Sequence, residues 1–234
     1  MTLYEKFLDD YKFEPITNPV YYKGKPVGFL VDGGHGLEMY TPGKRSPDGR
    51  IIEGRWNREM VARVIPSLRA LGIDARCITP EDQDISLDER VARANKIARS
   101  EPDKYWFFIS FHINAAKKES CDANGWCRTA SGFCAYAAPV SSADSKRMAK
   151  IMVDTAGKFG LRGNRSIPKE GYWSKGWYVI RCTSMPAVLT ESLFMTNPAE
   201  VDFLLSEKGK QTICSMHTAA ICEFFGIPYA HVQA

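Results

Sequence analysis

Short apolar runs alternate with longer amphipathic segments along most of this chain. The runs at residues 27–31 and 106–111 are bounded by polar or turn residues, a pattern that predicts buried strands. The same pattern predicts further strands at the following segments: 73–78, 132–138, 177–182 and 186–190. Apolar residues at helical spacing between them predict helices at the following segments: 54–71, 86–99, 142–159 and 208–225.

This alternation of strands and helices predicts the fold class. We expect a single α/β domain with a mixed, mostly parallel central sheet flanked by helices on both faces. The domain is predicted to cover residues 26–228, after an N-terminal arm at 1–25 and before a short tail at 229–234. A length of 234 residues suits one such domain.

Two histidines, His35 and His112, each follow one of the apolar runs. Ligands of α/β proteins bind at the carboxyl ends of such strands. Two imidazoles and one carboxylate are the ligands of a catalytic zinc ion that keeps an open position. For either histidine alone, the alternative is a strand end stabilised by hydrogen bonding.

Three glutamates are candidates for the carboxylate chemistry. Glu38 follows His35 by three residues, and Glu53 lies immediately before the first predicted helix; spacing alone leaves both open as the third ligand. Glu191 comes at the end of an apolar strand, where a carboxylate is costly unless it is paired or functional. It is a candidate general base, and the alternative is an ion pair with Arg181.

Composition excludes several classes of function. The formal net charge is +4, and no block of Lys and Arg indicates a nucleic-acid partner. No apolar stretch approaches the ~18 residues of a membrane span. The charged N-terminus does not resemble a secretory signal peptide, so we expect synthesis in the cytoplasm. Seven cysteines without a CxxC pair favour reduced thiols.

Taken in order, several segments resemble the zinc-dependent N-acetylmuramoyl-L-alanine amidases of the Amidase_3 family. They include Val31-Asp32-Gly33-Gly34-His35-Gly36, Glu53 with Asn57, Ser110-Phe111-His112-Ile113-Asn114, and Met185-Pro186-Ala187-Val188-Leu189-Thr190-Glu191. The resemblance implies a phosphorylase/hydrolase-like fold, a Zn²⁺ ion bound by His35, Glu53 and His112, and Glu191 as the catalytic carboxylate. It favours Glu53 over Glu38. The implied reaction cleaves the amide between N-acetylmuramic acid and L-alanine of peptidoglycan.

The chain also departs from the family pattern. Gly33 stands where the family usually has proline, and the loop after His112 carries an insertion with Cys121 and Cys127. Arg181 and Asn114 are candidate substrate contacts, although a solvated surface residue is the favoured interpretation of Arg181. By analogy, we expect a monomeric, phage endolysin-like enzyme that reaches the cell wall after release or by another export route.

Two alternatives for the function stay open at this point. One is a zinc carboxypeptidase-like peptidase, which the spacing of His35 and Glu38 with His112 and Glu191 would fit. The other is a wall-binding module without catalysis, although every catalytic position is filled.

Overall fold

The computed structural model describes residues 6–7, 15–37 and 44–229. Seven strands are described: β1 (Tyr21–Tyr22), β2 (Lys25–Gly33), β3 (Asp74–Cys77), β4 (Tyr105–Asn114), β5 (Cys134–Ala137), β6 (Trp173–Ser174) and β7 (Ala187–Phe194). The helices that lie wholly within the described residues are α1 (Glu53–Ala70), α2 (Leu87–Ser100), α3 (Ala143–Lys158), α4 (Tyr178–Cys182), α5 (Pro198–Leu205) and α6 (Glu207–Phe225), with one 3₁₀ turn at Lys118–Ser120.

All seven strands join one sheet. Its order is β1-β2-β4-β7-β5-β6, and β3 also pairs with β2. The strands β3, β2, β4 and β7 are mutually parallel, β5 runs antiparallel to β7, and β1 runs antiparallel to β2. The predicted mixed, mostly parallel sheet is therefore confirmed.

Alternation of side chains along the strands divides the interior into two apolar clusters. One cluster joins Phe29 and Phe107 to helices α1, α3 and α6, and the other joins Leu30 and Phe108 to α2 and α4. Successive strand residues point to opposite faces, so a continuous apolar run supplies both clusters. Burying each such Phe or Leu stabilises the fold by roughly 2 kcal/mol, and helices cover both faces as predicted.

The segment at 177–182 was predicted as a strand, and this prediction is wrong. It forms helix α4, whose Val179 and Ile180 are buried in the cluster around Leu30. An apolar run of six residues does not distinguish a buried strand from one turn of a packed helix, because both bury the same side chains.

Four further elements were absent from the predictions, one of them the 3₁₀ turn at Lys118–Ser120. Helix α5 begins at Pro198 after Asn197, whose side chain accepts hydrogen bonds from the N–H groups of Ala199 and Glu200. The short strands β1 and β6 lie at the two edges of the sheet. Part of the predicted N-terminal arm therefore belongs to the sheet, while the arm and tail boundaries stay predictions.

None of the described helices is long and apolar enough to cross a membrane.

Candidate metal centre

The face of the sheet under α2 and α4 changes from apolar to polar toward the carboxyl ends of its parallel strands. On this face, Leu30 is followed by Asp32 along β2, Phe108 by Ser110 and His112 along β4, and Leu189 by Glu191 along β7. Because α2 and α4 both begin beside these polar residues, a cleft of about 690 Å³ opens above them.

His35 reaches this cleft from a sharp turn that follows β2. Its φ is +59°, a left-handed conformation uncommon outside glycine. The turn passes directly over His112: a Cβ added at Gly34 would lie 2.1 Å from the His112 ring. Glycine is therefore required at position 34 for the two imidazoles to approach each other.

Glu53 enters the site as the first residue of α1. Its Oε1 accepts a hydrogen bond of 3.1 Å from the Ile113 N–H, and only 1% of its side chain is exposed. The start of α1 is held against the His35 turn, since Asn57 Nδ2 donates to Gly34 O at 2.9 Å. A carboxylate at this position is also favoured by the positive end of the helix dipole.

The three side chains converge on one point. His112 Nδ1 lies 3.0 Å and His35 Nε2 lies 3.5 Å from Glu53 Oε1, and the two ring centroids are 4.9 Å apart. Among the described residues, this is the group of His, Cys, Asp and Glu whose ligand atoms could hold a metal ion, all within 4.8 Å of one another. The structure thus brings His35, Glu53 and His112 together, whereas Glu38 lies outside the described residues.

The electrostatics of the cluster fit a cation. Two buried atoms, His35 Nε2 and Glu53 Oε2, have no hydrogen-bond partner in the part of the chain that the structure describes. Burial lowers the pKa of His35 to about 4, which keeps this imidazole neutral and its lone pair free. Burial alone would raise the pKa of Glu53, but the hydrogen bond from His112 and the nearby positive charges hold it below its ordinary value. Buried atoms that lack partners in this way are explained by an ion.

Glu191 stands beside this cluster on the neighbouring strand. It is the in-register partner of His112, and its Oε2 is buried without a hydrogen-bond partner among the described residues. Burial raises the pKa of Glu191, against the lowering effect of the His112 charge. Glu191 was expected at the end of its strand, but β7 continues for three more residues to Phe194.

Some residues of the cleft wall were not singled out by the sequence patterns. Lys44, Asp84 and Trp177 are among them. Lys44 and Asp84 lie in polar loops, which carry no periodic signal. Trp177 lay inside a segment assigned to a strand.

The two weaker candidates lie elsewhere. Arg181 is exposed on α4, with its guanidinium 5.9 Å from the Tyr178 ring. Asn114 ends β4, and its Oδ1 accepts a hydrogen bond from the Ala115 N–H. Neither residue lines the cleft.

Known proteins identify the family of this chain. The model of the family Amidase_3, described as N-acetylmuramoyl-L-alanine amidase, matches residues 29–223. The chain belongs to the Amidase_3 family. The matched range includes every residue of the cluster and Glu191, and it confirms the family inferred from the sequence.

Two curated relatives are similar to this Amidase_3 chain. The N-acetylmuramoyl-L-alanine amidase LytC of Bacillus subtilis is 30% identical over 190 residues, which cover 81% of this chain and 33% of that protein. An endolysin of Bacillus phage SPP1 is 27% identical over 206 residues, covering 84% of this chain and 65% of the endolysin. The match thus spans one third of the first relative's length and just under two thirds of the second's.

Solved structures share the fold. The Mycobacterium smegmatis N-acetylmuramyl-L-alanine amidase Ami1 superposes with a TM-score of 0.72 at 19% identity, covering 88% of this chain and 99% of that one. The catalytic domain of CwlV from Bacillus (Paenibacillus) polymyxa var. colistinus gives a TM-score of 0.68 at 22% identity, covering 86% and 99%. These two amidase structures therefore have the same fold as this chain.

Proposed function

We propose that this chain hydrolyses the amide bond between N-acetylmuramic acid and L-alanine in peptidoglycan, with a zinc ion bound by His35, Glu53 and His112. The observation that carries the proposal is the convergence of these three side chains beside the buried carboxyl of Glu191. Membership of the Amidase_3 family supports the choice of bond.

The donor set supports zinc in particular. Two imidazole nitrogens and one carboxylate oxygen are typical of catalytic zinc, and the absence of thiolate argues against a closed structural site. Zinc bound there would supply a Lewis acid that polarises the scissile carbonyl. It would also lower the pKa of a bound water to ~7, so that this water can react at neutral pH.

Glu191 is placed to move the protons of this reaction. Its raised pKa suits a group that accepts a proton from the attacking water and then donates it to the departing L-alanine nitrogen. The low-polarity floor under it, formed by Leu189 and the sheet, is what raises that pKa.

The cleft walls suit a muropeptide, which is part sugar and part peptide. The Trp177 ring packs on Tyr136 with centroids 4.5 Å apart and still exposes 36% of its surface. It therefore offers a fixed apolar wall, while Lys44 adds a positive charge to the lining of the cleft. Delivery to the cell wall by phage-type release or by another export route is part of this proposal.

The carboxypeptidase-like alternative would use Glu38 as a metal ligand. The hydrogen bonds that Glu53 accepts inside the cluster favour Glu53 for that role. A wall-binding module without catalysis would have no use for a buried, unpartnered Glu191.

The test is digestion of purified peptidoglycan, followed by identification of the new chain ends. The proposal predicts new N-terminal L-alanine, loss of this product after chelation, and recovery when Zn²⁺ is restored. New termini further along the stem peptide would favour the peptidase, and unchanged peptidoglycan that retains the protein would favour the binding module.

A further inference from the structure

Two buried polar residues that the catalytic proposal does not use lie directly behind His112. Asp32 on β2 and Ser110 on β4 are in-register neighbours in the sheet, and they are 1% and 0% exposed. Ser110 is also two residues before His112, so both point to the same face of the strand. The parallel pairing of β2 with β4 therefore fixes these three side chains in one row.

Hydrogen bonds connect the row from end to end. Ser110 Oγ lies 2.6 Å from Asp32 Oδ2, and the same oxygen lies 3.1 Å from His112 Nε2. The other Asp32 oxygen accepts from the guanidinium of Arg90, which is itself buried and also pairs with Asp84 at 2.9 Å. The buried Asp32 is therefore paired with a buried guanidinium.

The direction of these hydrogen bonds follows from the chemistry of the groups. A carboxylate only accepts, so the single hydroxyl hydrogen of Ser110 must point to Asp32. The Ser110 oxygen then has only lone pairs left for His112, and Nε2 must carry the hydrogen that it donates. Nδ1 lies 3.0 Å from Glu53 Oε1, and the hydrogen by which it bonds to this carboxylate is the one that a cation would replace.

We propose that Asp32 and Ser110 are positioning residues that hold His112 with its hydrogen on Nε2, so that Nδ1 is presented to the metal. The proposal rests on the metal site of the proposed function. Partners of this kind behind a metal-bound histidine typically change metal affinity by ~10–100-fold when removed. It also explains why the polar residues Asp32 and Ser110 stand in the two apolar strands that lead to His35 and His112.

The test compares Ser110→Ala with Ser192→Ala. Ser192 is equally buried, lies beside Glu191, and has an Oγ without a hydrogen-bond partner in the described part of the chain. The proposal predicts that Ser110→Ala weakens Zn²⁺ binding by ~10–100-fold in a chelator competition, whereas Ser192→Ala stays close to wild type. Equal Zn²⁺ affinity of Ser110→Ala and wild type would overturn it.

A second measurement does not depend on the variants folding. Nitrogen-15 NMR of the His112 ring in the wild-type protein reports which nitrogen carries hydrogen. Hydrogen on Nε2, with or without Zn²⁺, supports the proposal, and a ring protonated on Nδ1 alone contradicts it. If wild type binds no Zn²⁺, the metal in the proposed function is wrong, while the NMR result still decides the orientation of His112.

Discussion

Two neighbouring residues of β7 face opposite sides of the sheet and have opposite environments. Thr190 points into the larger apolar cluster, where its hydroxyl lies 3.1 Å from Nε2 of the buried His217. The other nitrogen of His217, Nδ1, lies 2.8 Å from the Ile213 carbonyl, so both ring nitrogens are satisfied. Glu191 points into the cleft, where its Oε2 has no partner among the described residues.

The comparison distinguishes a buried side chain that stabilises the core from one that is available for metal binding or catalysis. Burial lowers the pKa of His217 and of His35 to about 4, so both imidazoles are neutral at pH 7. Only His35 combines this neutrality with a nitrogen that lacks a partner in the described structure and with a second imidazole nearby. The convergence of unpartnered ligand atoms on one point, rather than burial or a shifted pKa alone, distinguishes the site from the core.

The largest expected difference is between two partly buried glutamates. Glu191→Gln is expected to reduce peptidoglycan hydrolysis by ~10²–10⁴-fold, because Gln cannot transfer the proton. Glu200, whose two oxygens accept from the N–H groups of Gly132 and Phe194 at 2.7 Å, is the matched control. Glu200→Gln removes one of these acceptors and is expected to cost about 1–3 kcal/mol of stability with little loss of activity.

Initial rates and urea unfolding of both variants give the measurement. If Glu191→Gln keeps near wild-type turnover, Glu191 is not the proton carrier. If Glu200→Gln instead loses activity at normal stability, the expected roles of the two glutamates are contradicted.

The next difference is between the two buried histidines. His35→Ala is expected to abolish Zn²⁺ binding with little change in the stability of the metal-free protein. His217→Ala is expected to keep Zn²⁺ binding but to lose about 2–4 kcal/mol of stability, because it leaves a cavity beside Phe111 and Phe133. Metal analysis and urea unfolding in chelator distinguish the two, and a shared phenotype would contradict the separation.

Acid should destabilise the protein through His217. Its pKa is about 4 in the folded chain and 6.5 in the unfolded one, so between these values the unfolded chain binds a proton that the folded chain does not. Stability is therefore lost as pH falls from 6.5 toward 4, by about 3 kcal/mol at most. Comparing metal-free wild type with His217→Leu at pH 7 and pH 4.5 isolates this contribution; equal losses in both proteins would show that His217 does not cause it.

The smallest difference concerns two helix caps. Ser86 caps α2 at the cleft and Ser142 caps α3 on the other face, each accepting a backbone hydrogen bond of 3.2 Å. Replacing either serine by alanine should cost about 1 kcal/mol. Only Ser86→Ala should also change KM, since Ser86 lines the cleft. Thermal unfolding and steady-state kinetics check this, and a KM change in Ser142→Ala would contradict it.

The sequence pattern predicted the parts of the fold that depend on periodicity. Apolar runs located β2 and β4, and therefore His35 and His112, because a buried strand needs such a run whatever follows it. Period two also places Ser110 on the same face of β4 as His112, whereas Asp32 joins this row only through the pairing of β2 with β4. Helix α4 was missed because a short buried helix and a short buried strand have the same composition.

The choice of carboxylate depended on tertiary structure. Spacing left Glu38 and Glu53 open, since sequence separation alone allows either carboxylate to reach a histidine. What brings Glu53 to the histidines is the left-handed turn at His35 and the close contact of Gly54 with Gly36, where an added Cβ would lie 1.8 Å from the carbonyl oxygen. Backbone contacts of this kind have no periodic signature in a single sequence.

The most direct test is a crystal structure of the wild-type protein grown with Zn²⁺, with anomalous data collected at the zinc edge. The account predicts one strong peak about 2.0–2.2 Å from His35 Nε2, a Glu53 oxygen and His112 Nδ1, with Glu191 facing its open side. A peak at cysteine sulfur, or a cluster without a peak at saturating Zn²⁺, would contradict it.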